Sequence, residues 1–207
     1  VAIGDAYADN TRYKAIIGKS TGDNDSEIDA QLLAVSRLVE RDCLGGRYLT
    51  KDATVTIRRY PGVYSRTLNV EDIASTAGLV VKVDDNRDGT AETTLTVVTD
   101  YELYPLNALT GPESRPYTQL VLPDRASRFY WPNLIEVTAI HGWPAVPEAI
   151  AQGVCQLVAL LRLEGPRATS VISEDMSAVI GVAPKAQSIV DKLIDAYAKP
   201  AWVYSNA

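Results

Sequence analysis

Asp84, Asn86 and Asp88, followed by Gly89, place oxygen-bearing side chains at alternate positions of "VDDNRDGTAE". This spacing is the first half of a calcium-loop pattern, in which alternate side-chain oxygens converge on a hard cation and a glycine makes the sharp turn. A complete loop needs a bidentate glutamate at its twelfth position; counted from Asp84 that position is Leu95, and Glu92 falls at the ninth. An EF-hand loop also joins two helices, whereas "LVVKV" and "ETTLTVV" on either side are strand-like. Asp, Asn and Gly suit a turn unaided, since Asx side chains bond to nearby main-chain N–H groups and glycine accepts a positive φ. The stretch is therefore read as a hairpin tip with no metal, and a cation held weakly by Asp84, Asn86 and Asp88 is the alternative.

Other candidates for chemistry are sparse. His141 is the one histidine, and no G-x-S-x-G nucleophile elbow accompanies it. A zinc site needs several His or Cys ligands, and besides His141 there are two widely separated cysteines, Cys43 and Cys155. Both cysteines lie in apolar helical patterns and read as buried thiols of a reducing compartment. Neither a phosphate-binding G-x-x-x-x-G-K-S/T loop nor a G-x-G-x-x-G fingerprint occurs. Adjacent carboxylates at Glu71-Asp72, Asp84-Asp85 and Glu174-Asp175 point to different sides of a strand or helix and read as solvated loops. These residues predict a protein that is not an enzyme and uses no cofactor.

Bulk properties set the frame. The 207 residues suffice for one domain, or for one domain with a sizeable insertion. A hydrophobic share of 46% against 22% charged is that of a chain that folds. The net charge of −6 is spread mildly: residues 1–51 carry 7 Lys/Arg against 8 Asp/Glu, residues 52–142 carry 8 against 12, and residues 143–207 carry 5 against 6. No segment is basic, so no footprint for gripping a phosphate backbone exists. The first residues, "VAIGDAYADN", lack the basic-then-apolar design of a signal, and no apolar run nears the roughly 18 residues of a membrane span. The expectation is a protein made in a cytoplasm, without a membrane.

Periodicity divides the chain into three zones. Helices are predicted over about Asp9–Ile17 and Ser26–Leu44; in the second, Ile28, Leu32, Val35, Val39 and Cys43 mark one apolar face, Ser26 and Asp29 resemble a capping box, and Gly45-Gly46 supplies the stop. From Ala53 to Gly142 the pattern turns to strands: "ATVTIRRY", "GLVVKV", "ETTLTVV", "PYTQLVL" and "LIEVTAI", with "YPGVYS", "YPLNALTGPESRP" and "LPDRASRFYWPN" as loops. Helical spacing returns after Pro147 and again near Pro184, until Pro200. The expected class is α+β: a helical bundle built from the N-terminal helices (1–51) and C-terminal helices (143–198), an inserted antiparallel β domain (52–142), and a tail (199–207).

Aromatic residues crowd the irregular segments: Tyr60, Tyr64, Tyr101, Tyr104, Tyr117, Phe129, Tyr130 and Trp131 in or beside the β-zone loops, and Trp202 and Tyr204 in the tail. Such residues bury much area with few rotatable bonds and serve as interface anchors. Arg58, Arg59, Arg115, Arg125 and Arg128 would line a charged interface or a solvated sheet surface.

The order of these pieces, "ERDCLGGRYLT", "VDDNRDGTAE" with "YELYPLNA", then "VTAIHGWPAVPEAIAQGVCQLVALLRLE" and "KAQSIVDKLIDAY", resembles the head-to-tail connector (adaptor) proteins of long-tailed bacteriophages. The most telling piece is Gly142-Trp143 followed by Val146-Pro147 and a helix, similar to the family's G-W/F-x-x-V-P lead into its bundle helix. The resemblance implies a virion protein of the head-tail junction, assembled in the host cytoplasm. About a dozen copies would ring beneath the portal and continue its channel. Its partners would be the portal protein, copies of itself and stopper or tail-completion proteins, with double-stranded DNA passing an acidic wall without specific binding. It also implies portal docking by Pro200, Trp202, Val203 and Tyr204, and ring or tail-side contacts at Arg115, Arg125, Arg128, Phe129, Tyr130 and Trp131. The alternative from another class is a calcium-assisted β domain that binds a ligand or receptor.

Overall fold

The structure, a computed structural model of the chain, describes residues 5–18, 24–110, 114–164 and 184–198. The described residues form two compact units, one drawn from residues 5–49 and 146–198 and the other from residues 50–145. Four α-helices and six antiparallel strands occur among the described residues, so the class is α+β.

In the first unit, α1 (Asn10–Ile17) begins where the Asp9 carboxylate accepts from Arg12 N at 2.7 Å and ends at Gly18 with φ 70°. Helix α2 (Asp25–Leu38) starts at Asn24 in the left-handed region without a side-chain cap. The expected Ser26/Asp29 capping box is therefore not formed: the helix starts one residue earlier, and Ser26 lies inside its first turn. Asp25 and Glu27 there complement the helix dipole instead. The helix passes into a π-turn, Val39–Cys43, in which Leu44 N bonds to Val39 O. Ile28, Leu32, Val35, Val39 and Cys43 are all buried, as the spacing predicts. Helix α3 (Glu148–Glu164) follows Pro147, whose carbonyl accepts from Ala151 N, and buries Ile150, Val154, Cys155 and Val158. It touches α1, α2 and α4 (Pro184–Tyr197), which contributes buried Leu193 and Tyr197.

A polar knot lies within this apolar packing. Tyr7 N donates to Ser36 Oγ at 3.0 Å, and Leu49 N donates to the Tyr7 hydroxyl at 3.0 Å. That hydroxyl also bonds to Glu40, a buried carboxylate paired with Arg37. Burial first, then Glu40, push the Tyr7 phenol far above its ordinary value.

The second unit is an open antiparallel sheet ordered β1-β6-β2-β5-β4, with β3 paired to β2. Its strands are β1 (Thr56–Pro61), β2 (Thr67–Val83), β3 (Thr93–Leu95), β4 (Glu102–Tyr104), β5 (Tyr117–Val121) and β6 (Leu134–His141). Strand β6 alternates strictly, burying Ile135, Val137, Ala139 and His141. The long β2 is shared, pairing with β6, β5 and β3. Its first half carries no readable alternation, for a physical reason. Leu68 and Val70 are buried in phase, then a bulge between Asn69 and Ile73 returns Ile73 to the core out of step, which erases the period-two signal. Two further irregularities follow against β6, between Ile73 and Ser75 and between Ser75 and Val80, the latter containing Gly78 at φ 73°.

Two other expectations change. The strand "ETTLTVV" stops at Leu95, because Val97 and Val98 enter a turn in which Val98 has φ 71°. Asp100 accepts from Thr96 N, and Arg125 donates through Nε and Nη2 to Val98 O at 3.1 and 2.7 Å. The short β4 in "YELY" was not foreseen, three residues being too few to show alternation.

Candidate functional site

The hairpin between β2 and β3 has the register Val81↔Leu95, Lys82↔Thr94, Val83↔Thr93, so "VDDNRDGTAE" is the connection of two antiparallel strands, as expected. Its turn is built by its own side chains. The buried Asp84 carboxylate accepts from Arg87 N at 2.6 Å and Gly89 N at 2.9 Å, Asn86 Oδ1 accepts from Asp88 N at 2.9 Å, and Asp88 Oδ1 accepts from Thr90 N at 2.8 Å. Bonding to the Thr90 main chain and then to Asn86 holds the Asp88 carboxyl below the usual range. The carboxylates that gather are those of Asp84, Asp88 and Glu92, with oxygens within 4.8 Å of one another. Asn86, the middle residue of the sequence pattern, donates its amide to Asp88 Oδ2 at 3.1 Å.

Asp85 points away and forms a two-pronged ion pair with Arg128, which lowers the Asp85 carboxyl below its ordinary value. This ties the hairpin to the β5–β6 loop. The β1–β2 loop joins the same end: Gly62 N bonds to Asn133 O at 2.9 Å, Trp131 N to Val63 O at 3.2 Å, and Trp131 Nε1 to Arg66 O at 3.0 Å. Gly62 permits the approach, since a Cβ there would stand 2.4 Å from Pro132 O.

Upon this laced support sit exposed rings. Tyr64 is 95% exposed and stacks on Tyr130 with centroids 5.3 Å apart and planes at 26°. Phe129 is 70% exposed, and the Arg66 guanidinium lies 5.7 Å from its ring centre. Beside the tyrosines is an open cleft of about 430 Å³ between Pro61, Val63, Tyr64, Arg87, Tyr130 and Pro132.

The sequence-predicted contact residues separate accordingly. Phe129 and Tyr130 are on this surface, and Arg128 supports it through Asp85. Trp131 differs from its neighbours: at 1% exposure it belongs to the core, is seated by its indole bond, and meets the cleft only as part of its lining. Arg125 is committed to Val98 O and Glu102, and Arg115 stands exposed in the β4–β5 loop with its N–H on Ala108 O. Sequence reasoning missed Arg66 and Arg87 as neighbours of the rings. The aromatic count signalled Tyr64, but pairing it with Tyr130 required the fold. The tail residues Pro200, Trp202, Val203 and Tyr204 lie outside the described residues.

The Gly142-Trp143 segment has a distinct geometry. Gly142 has φ 100°, its N–H donates to Asp72 O at 2.8 Å, and Trp143, buried, donates Nε1 to Asp72 Oδ2 at 3.1 Å. The preceding His141 is 1% exposed, and neither ring nitrogen reaches a partner in ordinary hydrogen-bond geometry. Burial, then Arg58, lower its basicity, offset in part by the nearby main chain of Val137 and by Asp52. Buried at the end of β6 beside Ala139, this histidine packs the strand end. Among the described residues no helix is long and apolar enough to cross a membrane.

No protein-family model matches the chain. No curated protein matches it. Among solved structures, a chain of one described as "Neck of empty GTA particle computed with C6 symmetry" is 19% identical, covering 73% of this chain and 75% of that chain, with a TM-score of 0.36. A likeness at that identity and TM-score carries no argument about the role of this chain.

Proposed function

We propose that the chain is a structural protein of a tailed virus particle, a head-to-tail connector that joins the portal of the filled head to stopper or tail proteins. In this reading it is not an enzyme. Its helices form one bundle that makes the neighbour contacts of a ring of about twelve copies, and its acidic balance lets DNA pass without adhering. The C-terminal residues Pro200, Trp202, Val203 and Tyr204 dock on the portal, and the loop surface with Phe129, Tyr130, Arg115, Arg125 and Arg128 meets ring neighbours or tail-side proteins.

The observation that carries the reading is Gly142-Trp143 with Val146-Pro147, set in an element order that resembles the connector family along nearly the whole sequence. Gly142 occupies a left-handed backbone position, Trp143 is buried, and the Pro147 carbonyl receives the first bond of α3. These are architectural roles, as a structural protein requires. The exposed ring cluster supplies interface anchors on a preorganised support.

The test is to mix the purified chain with purified portal rings and image the mixture by negative stain. An added ring of density coaxial with the portal is expected, even where the free chain is monomeric, since the portal can template assembly. Portal rings unchanged by excess chain overturn the proposal.

A further inference from the structure

We propose that the cleft beside Tyr64 and Tyr130 binds an extended, proline-containing peptide segment that carries a carboxylate, contributed by a partner protein. The inference rests on the reading of this loop end as a contact surface and adds the chemistry of what it contacts.

Three observations argue for that occupant. The two tyrosines stack on one another with centroids 5.3 Å apart, which fixes both rings and leaves each its outer face, and Tyr64 is almost wholly exposed. Together with Pro61 and Pro132 they line the cleft. Aromatic-lined grooves with phenol hydroxyls at the rim suit a polyproline-type segment, whose rings lie flat on the faces and whose carbonyls, left unbonded by that conformation, accept from the hydroxyls. The support is already rigid, because the main-chain bonds Gly62 N to Asn133 O and Trp131 N to Val63 O fix both loops. Little ordering cost is left for binding.

Charge then selects the segment. Arg66 is paired with Asp124, and Arg128 with Asp85. Arg87, on the cleft wall, is exposed, and its side chain makes no hydrogen bond or ion pair among the described residues. It is the one charged residue lining the cleft, which fits a single carboxylate. A phosphate polymer would need several such cations, and the unit carries more acidic than basic residues.

The probe is a fluorescein-labelled peptide of prolines interrupted by glutamates, titrated into the full chain and read by anisotropy. Saturable binding is expected, weakened about tenfold or more by Tyr64→Ala and by Arg87→Glu. A lysine-for-glutamate peptide is expected to prefer Arg87→Glu over the wild type. No saturable binding of the acidic peptide overturns the inference, and so does binding indifferent to Tyr64→Ala and Arg87→Glu, or tighter binding of oligothymidylate than of the peptide. If Tyr64→Ala blocks particle assembly while the peptide never binds, this inference falls and the connector reading stands.

Discussion

Gly142 approaches Thr50 so closely that a Cβ on Gly142 would stand 2.0 Å from Thr50 O, at a backbone φ of 100°. The two strand ends are joined there by the Lys51↔Gly142 bridge and by Trp143 N on Thr50 O. No L side chain fits without moving the main chain. Gly142→Ala is expected to cost about 3 kcal/mol or more, seen as a lower urea midpoint at unchanged slope. A loss below about 1 kcal/mol would mean that the segment yields easily.

The Asp84 carboxylate is the turn's internal clamp, accepting two main-chain N–H groups while buried. Asp84→Ala strands both donors and is expected to cost about 2 kcal/mol. As the stretch is a hairpin connection, millimolar calcium is expected to leave the wild-type Tm unchanged. A rise on adding calcium, erased by Asp88→Ala with Glu92→Ala, would restore the cation-assisted alternative.

His141 makes stability pH-dependent with a definite sign. Burial lowers its folded pKa below the ordinary 6.5, so below pH 6.5 the unfolded chain takes up a proton that the folded chain resists. Stability is complete above pH 6.5 and falls as pH drops toward the folded value, by up to about 1.4 kcal/mol per pH unit. Arg58 acts with this trend and Asp52 against it. Denaturation of wild type and His141→Leu at pH 7.5 and 5.5 checks it: the variant is expected to lose the histidine's share of the decline without losing stability at pH 7.5, since no hydrogen bond of ordinary geometry is removed.

In the helical unit, Tyr7→Phe removes the hydroxyl that accepts from Leu49 N and bonds to buried Glu40. A cost of about 2 kcal/mol is expected, because a buried N–H and a buried carboxylate each lose a partner. Thermal unfolding followed by circular dichroism reads it, and an unchanged Tm would show that water replaces the phenol.

Deleting residues 200–207 is expected to abolish co-sedimentation with portal rings while leaving the circular dichroism spectrum and Tm in place. Retained co-sedimentation would remove the tail from the docking assignment.

Legibility in the sequence followed the physical signals. The face of α2 was readable from Ile28 to Cys43 because helical spacing survives even into the π-turn. Strand β6 was readable because its alternation is unbroken. The first half of β2 was not, since its bulge shifts phase, and neither was the end of "ETTLTVV", where Arg125, distant in sequence, holds Val98 in a turn. At the candidate surface, residue types announced aromatic anchors. Their exposure was set by tertiary contacts that a linear reading cannot weigh: adjacent Tyr130 and Trp131 are 45% and 1% exposed.

The pairing of β1 with β6 has a consequence for how the chain is made. Arg59 and Glu136 meet across 77 residues, and β2 needs the same late strand for much of its length. During synthesis β1 and β2 emerge well before β6, and such long-range closure is slow. In that interval an unpaired strand invites a second nascent chain. Arg58, Arg59 and Pro61 on β1 oppose this, by repulsion and by a missing N–H, so its composition protects the waiting strand as well as placing ion pairs in the finished sheet.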